Sequence, residues 1–221
     1  MEMKIASEIY EYIPDFKIGL IKYHNITVGE SPQMLKGRLQ LFQESLFFEM
    51  EDKKATDFPS IQEWRQVFKQ TGKDPNRYRH SAEALYRRVQ KQDYLPSIHS
   101  ATDLNNFFSL QYGIPFGIYD QEKIQGDVIT VRLGEDDEAY LGLNGRDNSL
   151  HRLLLSADDA GPFGTPFVDS ERTAVTKNTK HAVQIVYLQP SMPLSQAEKL
   201  VTAVADMFTG INGGNSMCKV V

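Results

Sequence analysis

The sequence predicts an α+β fold, and three observations carry that prediction. Helical periodicity dominates the first half of the chain and strand-like runs the second, the segregation of an α+β domain and not of a wound parallel sheet. The most continuous apolar run, Ala182-Val183-Gln184-Ile185-Val186-Tyr187-Leu188, comes late and reads as a strand interior to a sheet, because a strand buried on both faces loses its polar alternation. Finally, 221 residues with 41% hydrophobic and 24% charged side chains are enough to bury one core. We expect one domain over residues 1–208 and a C-terminal tail, mobile in part, over 209–221.

Taken in order, Ile5, Ile9 and Ile13 suggest a short opening helix over residues 4–12, and Phe16 to Tyr23 alternates as a strand. Ser31-Pro32 reads as an N-cap and first helical position. The helix that follows, to about Asp52, carries Leu35, Leu39, Phe42, Leu46 and Met50 on one face. Residues 53–58 form a linker. Ser60-Ile61-Gln62-Glu63 is a capping-box pattern opening a helix with Ile61, Trp64, Val67 and Phe68 inward and Gly72 at its end. After an Asp74-Pro75-Asn76 turn, Ser81 starts a helix with Ala84, Leu85 and Val89 inward.

Ser100-Ala101-Thr102-Asp103 is another capping-box pattern, and Leu104, Phe107, Phe108 and Gln111 continue at helical spacing until Gly113 and Pro115 stop the helix. Tyr119-Asp120 leads through a turn at Gly126 to a β-branched strand, Val128 to Val131. Asn144-Gly145 is a hairpin signal between residues 139–143 and 150–156. Residues 158–168, with two glycines and two prolines, read as a loop. Ser195-Gln196-Ala197-Glu198 opens the last amphipathic helix, with Leu200, Val201, Val204, Met207 and Phe208 inward.

Composition excludes several classes. The single cysteine, Cys218, rules out an internal disulfide and thiolate-rich metal sites. No apolar run reaches spanning length and Met1-Glu2-Met3-Lys4 opens no leader, so a cytoplasmic protein without membrane partners is expected. The net charge of −5 argues against a DNA-coating protein. There is no P-loop, nucleophile elbow, dinucleotide fingerprint or H-E-x-x-H, hence no expected cofactor and no assigned catalytic residue. The five histidines are never three or four residues apart, which gives no sequence-local metal site. Charge is nevertheless uneven. Arg77, Arg79, Arg87, Arg88 and Lys91 crowd a short stretch, either as a contact for an RNA backbone or as a solvated helix face whose terminal cations suit the helix dipole.

The candidate ligand-binding residues lie around the central helix. His99 precedes its cap, at a pocket rim or as a loop histidine touching backbone. Asp103 and Asn106 share a helix face, where they align a ligand's amino group or, structurally, cap the helix and tie the next loop to the sheet. Asp120 and Arg132 are expected to pair. Glu171 follows the Gly/Pro loop just before a strand, where a carboxylate can face the mouth between loop and sheet.

The order Asp103…Asn106, Gly113-Ile114-Pro115, Tyr119-Asp120, Ile124, Gly126, Arg132 resembles the B3/B4 domain of the phenylalanyl-tRNA synthetase β chain, most clearly over residues 77–190. The resemblance implies a mixed sheet with helices outside, and a pocket that hydrolyses tRNA charged with the wrong amino acid. It implies that Glu171 recognises the misattached amino acid, from a place where the family has G-G-E and this chain has Asp169-Ser170-Glu171. The family pattern G-x-P-x-H-A-[FY]-D puts a histidine where this chain has Gly117, and the family's T-D-A stretch is replaced by Thr209 to Gly214. Two functional expectations follow. One is a trans-acting editing hydrolase of mischarged aminoacyl-tRNA, with a positioned water and no nucleophile or metal. The other is a non-catalytic module that binds an amino acid or RNA end; a pocket kept open by Gly113, Gly117 and Gly161 is compatible with both. An interaction subunit of a synthetase-like complex is a third.

Overall fold

A computed structural model describes residues 1–221. In chain order the elements are β1 (Glu2–Ile5), α1 (Ser7–Tyr12), β2 (Ile18–His24), α2 (Gln33–Glu49), α3 (Pro59–Gln70), α4 (Ser81–Gln90), α5 (Ser100–Tyr112), β3 (Phe116–Asp120) and β4 (Val128–Leu133). There follow β5 (Ala139–Leu141), β6 (Asp147–Ser149), β7 (Leu154–Asp158), β8 (Gly161–Gly164), β9 (His181–Tyr187), α6 (Leu194–Asn212) and β10 (Asn215–Val220). One four-stranded sheet runs β1-β4-β7-β8, parallel only at β1–β4; the other runs β10-β2-β9-β3, antiparallel throughout. β5 and β6 form a separate hairpin around Gly145, whose φ of 69° meets the demand of the turn. The chain is thus an α+β domain with mixed sheets.

β9 is interior to its sheet and, past His181 at its start, buried along its whole length, Gln184 included. That glutamine is satisfied at both ends. Tyr23 donates to its Oε1 (2.8 Å), and its Nε2 donates to Asn105 (2.9 Å), which in turn donates to the Phe116 carbonyl (3.1 Å). The relay ties β2, β9, α5 and β3 together inside the core, where an unpaired amide would cost about 1–3 kcal/mol. α6 lies on β2 through Gly19. A Cβ there would stand 2.4 Å from Val201 Cγ2, so only glycine permits the approach. Phe208 stacks on Tyr23 in the same contact. Trp64 is fully buried and meets Tyr187 edge-on, a core residue.

Several expectations are corrected. The tail over 209–221 is the end of α6 followed by β10, an edge strand paired with β2. The opening helix is split, residues 2–5 being a strand beside β4. The 158–168 loop contains β8, and the second arm of the hairpin is 147–149, with residues 154–158 pairing β4 and β8 instead. None of the serine caps forms as drawn. Ser31 Oγ donates to Asp103 (2.5 Å), α3 begins at Pro59 after Phe58, and α6 begins after Pro193 without a side-chain cap. α4 turns Glu83 and Tyr86 inward and Ala84 outward. Amide exchange should find Val183 to Val186 among the slowest residues, and the β10 amides that face β2 protected. Tail-like exchange across 216–219 would contradict the edge strand.

Candidate functional site

The two four-stranded sheets meet along a polar seam. Tyr119, on β3 of one sheet, crosses to β8 of the other, with its ring edge-on to Phe163 at 4.8 Å. Its hydroxyl donates to Asp169 Oδ1 at 2.7 Å, and the Thr165 backbone N–H donates to the same oxygen at 3.2 Å. Glycines make the crossing possible. A Cβ on Gly117 would lie 2.0 Å, and one on Gly164 2.2 Å, from the Tyr119 hydroxyl oxygen. Around this pair Tyr140 donates to the Val168 carbonyl (2.5 Å). Tyr187 is fully buried and its hydroxyl faces those of Ser156 and Tyr119. Neither Tyr187 nor Ser156, nor the nearby Thr173, makes a side-chain hydrogen bond. Buried hydroxyls without partners are uncommon and costly.

The seam is also where acid–base behaviour departs most from the ordinary. Burial pushes the Asp169 carboxyl up from 3.8 to about 7, against the opposing pull of its bonds from Tyr119 and the Thr165 N–H. Burial, followed by the Asp169 charge, raises all three tyrosines. Among the histidines, His80 is driven down to about 3 by burial and stays neutral, accepting from the Glu83 N–H while its other nitrogen meets the Ile61 carbonyl.

The sequence-derived site residues are not gathered here. Gly117 is in the seam, yet it holds nothing open, because Tyr119 occupies the space above it. Gly113 is the left-handed end of α5 (φ 66°), packed on Ser60 and Tyr86, while Gly161 faces open space. Glu171 opens a 3-10 turn, Glu171–Thr173, and its exposed side chain makes no hydrogen bond or ion pair. His99 is the N-cap of α5, accepting from the Thr102 N–H; burial lowers its pKa. Asp103 gathers Ser31, Ser97 and the Ile98 N–H, fixing the loop before α5. Asn106 has no side-chain partner; its neighbour Asn105 ties the loop to the sheet. Arg132 pairs with Glu138, not Asp120, whose carboxylate accepts from Thr179. Asp169 is the residue that sequence reading passed over. The departure from the family's G-G-E pattern was visible there, but as lost glycine freedom and not as a new buried acid.

The predicted RNA-contacting cations divide. Arg87 binds the fully buried Glu83, which Arg65 also binds, and Arg88 forms a two-bond pair with Asp93. Arg77, Arg79 and Lys91 are exposed and make no ion pair.

A raised carboxyl pKa means that the folded state holds a proton that the unfolded chain has lost. Asp169 therefore lowers stability as pH rises from about 4 to 7 and contributes no further slope above 7. His80 has the opposite slope over about 3 to 6.5, so the wild-type curve alone hides both. The difference between wild type and Asp169→Asn isolates the acid. Denaturant titrations should show the variant gaining on wild type by a few kcal/mol between pH 4 and 7, then a constant offset. A flat difference across that window contradicts the buried acid.

A B3/4 domain model matches residues 63–204. The Bacillus subtilis protein YhzB, described as uncharacterized, is 34% identical over 214 residues, covering 97% of this chain and 96% of that one. The phenylalanine–tRNA ligase beta subunit of Streptomyces avermitilis is 39% identical over 95 residues, 42% of this chain and 11% of the subunit. That of Synechocystis is 24% identical over 131 residues, 56% of this chain and 16% of the subunit. Among solved structures, an N-terminal fragment of the phenylalanyl-tRNA synthetase beta subunit from Pyrococcus horikoshii aligns with 97% of this chain and 50% of its own, at 13% identity and a TM-score of 0.46. With the B3/4 model spanning most of its length and YhzB matching it end to end, this chain belongs to the B3/4 domain family.

Proposed function

We propose that this chain is a tRNA-associated B3/4 module whose interior site is closed by a tyrosine–aspartate pair and does not hydrolyse aminoacyl esters. The observation that carries the reading is the Tyr119 hydroxyl, seated over Gly117 and Gly164 and bonded to Asp169. In the resemblance a histidine stands at the position of Gly117 and orients the reactants. Here that position has no side chain, and a neighbouring phenol takes the space. The association with tRNA rests on the likeness to phenylalanine–tRNA ligase beta subunits, each of which this chain matches over a small part of its length. An aminoacyl group or RNA end is the ligand class that this kinship suggests.

A second reading, a trans-acting editing hydrolase, is favoured by Asp169. A carboxyl near pH 7 is tuned for general base work, and the unpartnered Ser156 and Tyr187 hydroxyls are placed to hold a water or substrate oxygen. That reading requires Tyr119 to swing away.

Both readings meet one assay. The full chain, incubated with a panel of mischarged and correctly charged tRNAs, should release amino acid no faster than buffer, while binding tRNA with an affinity that falls steeply with salt. Release of one misacylated amino acid well above the buffer rate, abolished by Asp169→Asn, would establish the hydrolase instead.

A further inference from the structure

We propose that Lys73, Arg77 and Arg152 form a binding site for one backbone phosphate of RNA. The inference rests on the tRNA association proposed above and assigns it a place. Lys73 follows Gly72 at the end of α3 and lies over the face of Tyr78, its Nζ 4.3 Å from the ring centroid and the residue only 8% exposed. Arg77 approaches the same ring at 6.0 Å. Arg152 arrives from the connection between β6 and β7, far along the chain. Its Nε donates to the Thr71 carbonyl at 3.0 Å, and its guanidinium packs against Gly72, where a Cβ would come within 2.8 Å of Nε. Its backbone is left-handed, at φ 56°, an unfavoured state for arginine that persists only where the surroundings impose it.

None of these cations makes an ion pair, although their neighbours Arg65, Arg87 and Arg88 all do. The nearest acid in sequence, Asp74, spends a carboxylate oxygen on the Asn76 N–H. Burial, then Arg77 and Arg152, depress the Lys73 pKa. Like charges held together without a counter-ion destabilise the fold, and an anion among them removes that repulsion. Beside Lys73 opens a hollow of ≈ 440 Å³, lined also by Arg65, Lys69, Asp74 and Asn76, with Arg77 and Arg152 outside its lining. A phosphodiester fits the set, because one ammonium and two guanidinium groups offer charge-assisted donors to its oxygens. Exposed Arg77 and Lys69 leave the site open to a long polyanion.

The test uses the full chain and two probes. Inorganic phosphate, followed by ¹⁵N NMR, should shift the Arg77 and Arg152 side-chain signals and leave that of Arg88 in place. For tRNA, anisotropy titrations over a range of salt should show Lys73→Gln, Arg77→Gln and Arg152→Gln each lowering affinity and cutting the log–log salt slope by about one, with Arg88→Gln close to wild type. Lys73→Gln should also raise Tm in the absence of anion, which separates lost binding from lost folding. Unchanged tRNA binding in the three variants overturns the site and leaves the tRNA association standing. Failure of wild type to bind tRNA at low salt overturns both, and phosphate shifts confined to other residues overturn the site alone.

Discussion

The structure depends most on the approach of Tyr119 to Asp169. It is the point where a strand of one sheet reaches across to the loop after β8 of the other, and it fixes what the interior can do. The bond needs a phenol on β3, missing side chains at Gly117 and Gly164, and an acid at residue 169. Remove either glycine and the ring has nowhere to lie. Remove the acid and a fully buried hydroxyl loses its partner, a cost of about 1–3 kcal/mol. The same arrangement buries a carboxyl and lifts its pKa to about 7, which makes the seam at once an architectural joint and the most chemically unusual place in the molecule.

Much of the fold was legible because core helices and central strands obey periodicities that tertiary context seldom overrides. α3 turned Ile61, Trp64, Val67 and Phe68 inward as its spacing required, β9 was interior, and Gly113 ended α5 in the left-handed region. The failures fall where local chemistry has a long-range competitor. Ser31 resembles a helix cap, but Asp103, remote in sequence, takes its hydroxyl. β10 carries few apolar residues and reads as a tail; its strand state comes from pairing with β2, which no local pattern reports.

The site was legible in outline only. The departures from the family pattern at Gly117 and Asp169 could be read from the chain, but not that the two positions face one another through Tyr119. The basic stretch was likewise visible as a run. Its division was not, since Glu83 lies inside and pairs with both Arg65 and Arg87, while Arg152 joins Lys73 and Arg77 only through folding. Sequence neighbours share a charge sign; the fold decides which charges are free.

Whether Tyr119 fills the space above Gly117 is read out by a double-mutant cycle in chemical denaturation. Gly117→Ala in the wild-type chain should cost about 1–3 kcal/mol, the usual price of overpacking a filled interior. In a Tyr119→Leu background the added methyl should cost well under half as much, because the phenol that it would meet is gone. Equal costs in the two backgrounds would mean that the space over Gly117 is open and that Tyr119 does not close the interior site.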